Sequence, residues 1–118
     1  MILVDTSVWI DHFELEIPRL TEILLAGTVV IHAFVEGEIA CGSLRRRADI
    51  NRFLRRLQRA PDVPHGAVRF LLESERLYGR GVGWVDLHLV ASASASGCKL
   101  WTHDKRLERI ASQLGLAA

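Results

Sequence analysis

Met1-Ile2-Leu3-Val4-Asp5-Thr6-Ser7-Val8-Trp9-Ile10-Asp11-His12-Phe13 is the stretch whose reading decides the fold. Met1 to Val4 is apolar, too short and too bare of caps for a helix. It predicts a strand buried on both faces, as inside a parallel sheet. Asp5 ends that strand. Thr6 and Ser7 open a helix, because a hydroxyl residue ahead of a periodic apolar run is a start signal. Asp5 therefore falls at the C-terminal end of a central strand, the edge where open α/β sheets bind ligands. It is equally well read as a turn residue or a helix cap, and this stretch alone leaves both readings open.

Working outward, the alternation of short strands and helices continues. Pro18 starts a second helix that runs from Arg19 to Ala26, and Gly27 stops it. Thr28 to Ile31 reads as a second strand and His32 to Gly42 as a helix carrying Glu36 and Glu38. Two positions apart on a helix, these acids point in different directions, so at most one faces the sheet edge. Ile50, Phe53, Leu54 and Leu57 recur at helical spacing within Ser43 to Ala60 and predict an amphipathic helix. Its opposite face then gathers Arg52, Arg56 and Arg59. A charge run is usually a solvated face, but this stretch holds seven arginines against the single acid Asp49. Such one-sidedness suits a phosphate backbone or an acidic partner.

Pro61 to Gly66 reads as a loop with room for a very short strand, and Ala67 to Gly79 as a further helix. Gly79 to Gly83 is a glycine-rich turn without the Lys-Ser/Thr ending of a phosphate loop. A helix from about Val85 to Ser96 follows, stopped by Gly97. Its Ala/Ser run allows close packing on the sheet, and Asp86 falls in its first turn, where the helix dipole favours negative charge. Cys98 to Thr102 is the last clear strand. Asp104 caps a final helix with Leu107, Ile110, Ala111 and Leu114 as its buried stripe. The fold expected is a three-layer α/β/α sandwich with a mainly parallel sheet of four or five strands, in one domain spanning 1–118.

The 118 residues, 49% apolar and 25% charged with net charge +1, are ordinary for a globular domain with a sizeable core. The amino terminus has no basic region or cleavage site of a secretory signal, and no apolar run is long enough to span a membrane. Cys41 and Cys98 lack metal or redox spacing and read as two buried thiols in a reducing, cytoplasmic setting. The five histidines are scattered in sequence and none is assigned a role; His103, beside Asp104, is the nearest to one. Trp9, Trp84 and Trp101 are read as packing residues, with Trp84 also able to stack on an unpaired base.

Asp5 and Asp104 both end strands and precede helices. Asp86 heads the helix leading into the last strand, and Glu38 or Glu36 projects from the helix after the second. Each acid has an ordinary structural explanation, but four separate caps need not converge. If they do converge, unit charges ~5 Å apart repel by roughly 3 kcal/mol at an effective dielectric of ~20. A hard divalent cation such as Mg²⁺ or Mn²⁺ would relieve that repulsion and activate water for attack at phosphorus.

Four blocks carry a resemblance: Asp5-Thr6-Ser7-Val8-Trp9, Glu38-Ile39-Ala40-Cys41-Gly42, Trp84-Val85-Asp86-Leu87-His88 with the residues after it, and Leu100-Trp101-Thr102-His103-Asp104. In order and separation they resemble the motifs of PIN-domain ribonucleases, most closely the VapC toxins of toxin–antitoxin pairs. The resemblance implies an endoribonuclease dependent on Mg²⁺ or Mn²⁺, with Asp5, Glu38, Asp86 and Asp104 as catalytic metal ligands. Glu38 rather than Glu36 matches the family's Glu-hydrophobic-x-x-Gly block. Ser7 and Thr102 match supporting positions. The resemblance also implies an RNA substrate of the transfer or ribosomal class, a VapB-type antitoxin, and a homodimer. Dimer face and antitoxin groove would lie on the helices after the first strand and around Pro18 to Phe34. The chain departs from the family pattern at Leu87-His88, where Ala is common after the third acid, and at Lys105-Arg106 after Asp104. Those departures motivate a second reading, a catalytically inactive scaffold that binds RNA or a protein. A phosphoacceptor or phosphatase is disfavoured, because Ser7 stands where those chemistries want a second acid.

Overall fold

A computed structural model describes residues 1–118. It contains β1 (Ile2–Val4), α1 (Thr6–Glu14), α2 (Pro18–Leu25), β2 (Val29–Ile31), α3 (Ala33–Ala40), α4 (Arg47–Arg55), β3 (Gln58–Arg59), α5 (His65–Ser74), α6 (Trp84–Ser96), β4 (Lys99–Trp101) and α7 (Lys105–Gln113). The four strands form one sheet in the order β3-β2-β1-β4, and every pairing is parallel. Helices cover it as the α/β/α expectation requires; α3 packs on α1 and α4, and α5 on α6.

The strand order explains where a site forms. The chain lays β1, β2 and β3 side by side, then crosses back through α5 and α6 to place β4 on the other flank of β1. The direction of winding reverses between β1 and β4, so their C-terminal ends border a crevice. Leu3, Val4, Val30, Ile31 and Leu100 are buried at the centre of the sheet. α6 is buried continuously from Leu87 to Ala93. Its small residues permit that depth, and the Ser92 hydroxyl, fully buried, donates to the Pro61 carbonyl at 2.7 Å. Gly97 adopts φ +69°, which ends the helix in a conformation other residues rarely take.

Several expectations are corrected. The basic helix stops at Arg55, not Ala60. Gln58 and Arg59 are recruited as β3 against Val30 and Ile31, and the Ala60 N–H donates to the Ile31 carbonyl. Pairing with an otherwise open sheet edge outweighs continuation of the helix. Arg59 therefore leaves the face shared by Arg52 and Arg56. The very short strand lies here, ahead of the Pro61–Gly66 loop. α1 is capped by Asp5, with Thr6 already helical. The helix expected to run to Gly79 ends at Ser74. Cys98 is buried but Cys41 is exposed. In place of a fifth strand there is a single parallel bridge between Leu100 and Ala117. No helix is long and apolar enough to cross a membrane.

Candidate active site

Asp5 sits at the mouth of the crevice and is only 7% exposed. The register aligns Val4 with Trp101, so Asp5 and Thr102 leave their strands side by side. Asp5 is both a cap and a fixed acid. Its Oδ1 accepts from the Thr6 N–H at 2.8 Å. Its Oδ2 accepts from the Ser7 hydroxyl at 2.8 Å and the Thr102 hydroxyl at 2.7 Å. Thr102 Oγ1 also accepts from the Asp104 N–H at 3.0 Å, so one buried hydroxyl ties the two strand-end acids together. Ser7 Oγ in turn accepts from the His103 N–H at 3.0 Å. Ser7 and Thr102 thus both donate to the same oxygen of Asp5.

The remaining acids approach from the helices. Glu38 Oε1 accepts from the Thr6 hydroxyl at 2.8 Å, which holds α3 against the start of α1. Glu36 faces elsewhere and pairs with Arg59 at 2.9 Å. Asp86 Oδ2 accepts from the Gly83 N–H at 3.1 Å. Burial raises the Asp86 carboxyl above its ordinary value; the Gly83 hydrogen bond opposes this, and the charges of Asp5, Asp104 and Glu38 add to it. Asp104 caps α7, its Oδ1 accepting from the N–H groups of Arg106 and Leu107.

No three acidic, His or Cys side chains are gathered closely enough to hold an ion as they stand. The donor chemistry nonetheless suits a hard divalent cation. Glu38, Asp86 and Asp104 are each anchored to the protein through one carboxylate oxygen, which leaves the other uncommitted. Glu38 and Asp104 are also exposed.

Of the arginines, Arg52 is ion-paired with Asp49 and Arg59 with Glu36, while Arg56 is exposed at the end of α4. His103 points away from the acids to Asp11, at 2.6 Å. Sequence reading missed Thr6, whose hydroxyl was taken only as a helix opener. It also missed the meeting of His32, His65 and His88 beside α6; their wide separation carries no local signal. Burial lowers both His32 and His88, which favours the neutral ring in each. For His32, Asp62 opposes the shift, and the charges of His88 and Arg59 reinforce it. For His88, His65 reinforces it and Asp62 opposes it.

Comparison with known proteins adds three matches. The PIN domain family matches residues 2–113. The chain is 42% identical over 118 residues to Ribonuclease VapC32 in two strains of Mycobacterium tuberculosis, across 99% of this chain and 95% of the relative. Its fold is similar to that in the crystal structure of VapBC2 from Rickettsia felis bound to a DNA fragment from their promoter. There the TM-score is 0.67 over 92% of each chain, at 20% identity.

Proposed function

The chain belongs to the PIN domain family, and from that premise we propose that it is a metal-dependent endoribonuclease, the toxin of a VapBC-type pair. The observation that carries this reading is the Thr102 hydroxyl joining Asp5 and Asp104 at the crevice between β1 and β4, with Glu38 held on the neighbouring Thr6. The relative named as a ribonuclease supports RNA as the substrate. Transfer or ribosomal RNA, reached in the cytoplasm, is the proposed class. A VapB-type antitoxin and a homodimer are the proposed partners. A cavity of about 620 Å³ along α1 and the loop after α3, lined by Ile10, Phe13, Leu44 and Arg45, offers a groove for the antitoxin.

Asp5, Glu38, Asp86 and Asp104 would hold Mg²⁺ or Mn²⁺. When bound, such a cation supplies neutralisation of phosphate charge and a more acidic water. Asp5 is the fixed member, its orientation set by Ser7, Thr102 and the Thr6 N–H. Burial, which raises the Asp86 carboxyl, makes its carboxylate a readier proton acceptor than an exposed aspartate. Thr102 keeps Asp5 and Asp104 in step across the strand ends. Arg52 and Arg56 on α4 are proposed to steer the RNA backbone; Arg59, bound to Glu36, instead fixes β3 against α3.

The test is cleavage of total RNA by the wild type and by Asp5→Asn, with Mg²⁺ or Mn²⁺ titrated in. Asp5→Asn should retain its circular dichroism and lose cutting by about 10³-fold. Cutting by Asp5→Asn at the wild-type rate would overturn the reading. So would a wild type that cuts no RNA at any metal concentration, which would leave a binding scaffold.

A further inference from the structure

Beside α6, on the same edge of the sheet as the acids, lies an open pocket of about 340 Å³. His32, Phe34, Asp62, His65 and His88 line it. Its size is at the lower end of the range for small-ligand pockets. The Trp84 ring stacks on His65 at 5.7 Å and 19°, and meets His88 edge-on at 5.0 Å. Phe34 stands 5.0 Å from both His32 and His88. The walls are therefore aromatic: Phe34, 37% exposed, and His65 line the pocket, with Trp84 packed behind His65.

One polar group inside is unsatisfied. His32 is 1% exposed, and its Nδ1 accepts from the Phe34 N–H at 3.0 Å. In the neutral ring the proton then sits on Nε2. That buried N–H has no hydrogen-bond partner; Asp62 Oδ1 stands 3.7 Å away, beyond hydrogen-bonding distance. Buried donors are normally paired, so an unpaired one at a pocket wall marks a place for an incoming acceptor.

We infer that this pocket receives one unpaired nucleobase of the RNA strand, an inference that rests on reading the neighbouring acids as a nuclease site. Phe34 and His65 offer ring faces on which a base stacks, and Trp84 backs His65 from behind. His32 Nε2–H donates to a ring nitrogen or carbonyl of the base, and the Asp62 carboxylate accepts from an adjacent amino or imino group. A phosphate fits poorly, because Asp62 would repel it. His88 lies two residues beyond Asp86 on α6, so acids and pocket flank opposite sides of one helix start. A base held here would fix which nucleotide stands beside the bond to be cut.

The experiment uses the full chain in EDTA, with octaribonucleotides of each base and an abasic octamer of the same backbone. Affinity and the imidazole NMR signals are followed together. The base-bearing octamers should bind about tenfold more tightly than the abasic one, and only they should shift the ring signals of His32, His65 and His88. His65→Ala removes an exposed wall. His32→Asn keeps an oxygen to accept the Phe34 N–H, and its shorter side chain no longer carries a donor to the Nε2 position. Each should reduce the base-dependent difference at least threefold, with circular dichroism unchanged. Equal affinity for base-bearing and abasic octamers, or a difference that survives both variants, overturns the pocket. So does a shift of the same signals by stoichiometric Zn²⁺ with none from any base. The same octamers incubated with Mg²⁺ separate the two claims: cutting with no base-dependent binding sinks the pocket alone, and base-dependent binding without cutting sinks the nuclease reading alone.

Discussion

Replacing Thr102 with Val should weaken the whole protein, not only the site. Thr102 is 3% exposed, and Val matches its shape while exchanging the hydroxyl for a methyl. The lost group donates to Asp5 Oδ2 at 2.7 Å, inside a buried environment. A hydrogen bond to a charged group contributes about 1.5–3 kcal/mol. Asp5 Oδ2 keeps the Ser7 hydroxyl, which limits the loss. The Asp104 N–H also loses its acceptor, but Asp104 is exposed and water can replace it. The expected cost is about 2–3 kcal/mol. Thr102→Ser keeps the hydroxyl and deletes one methyl, for about 0.8 kcal/mol. Urea unfolding at pH 7 in EDTA reads both as shifts in midpoint at constant slope. Thr102→Val no more destabilising than Thr102→Ser would refute the reasoning, because the bond to Asp5 would then contribute nothing net.

Two further outcomes follow from the geometry. Asp86 carries a carboxyl raised above its ordinary value of 3.8, chiefly by burial. Its ionised form is therefore penalised in the folded state, fully so above the raised value and not at all below 3.8. In EDTA, Asp86→Asn should raise the urea midpoint at pH 7, and the gain should fade as pH falls toward 4; a gain independent of pH would contradict the assigned cause. For α4, the double variant Arg52→Gln/Arg56→Gln should lower the slope of log affinity against log salt for single-stranded RNA by about 0.7 for each phosphate contact removed. An unchanged slope would remove this helix from the RNA path.

Much of the site was legible because its chemistry sits at the ends of local patterns. An apolar run followed by an acid and a hydroxyl marks both the strand end and the helix start, at Asp5-Thr6-Ser7 and again at Thr102 to Asp104. Glu38 was separable from Glu36 by its block, and the structure turns Glu38 to Thr6 and Glu36 to Arg59. Arg59 was misplaced because helical periodicity carries no information about a sheet edge waiting two turns away. Cys41, read as buried, lies exposed just past the end of α3.

The sequence by itself determined the parallel α/β alternation and the places of Asp5 and Asp104 at strand ends, since burial period, caps and stops act within a few residues of one another. Only the tertiary structure decided that β4 returns to the far side of β1, that Thr102 therefore meets Asp5, and that His32, His65 and His88 share one wall. Those meetings depend on crossover order and strand register. They are settled by which buried faces fit together across the whole chain, and no short window of residues contains that information.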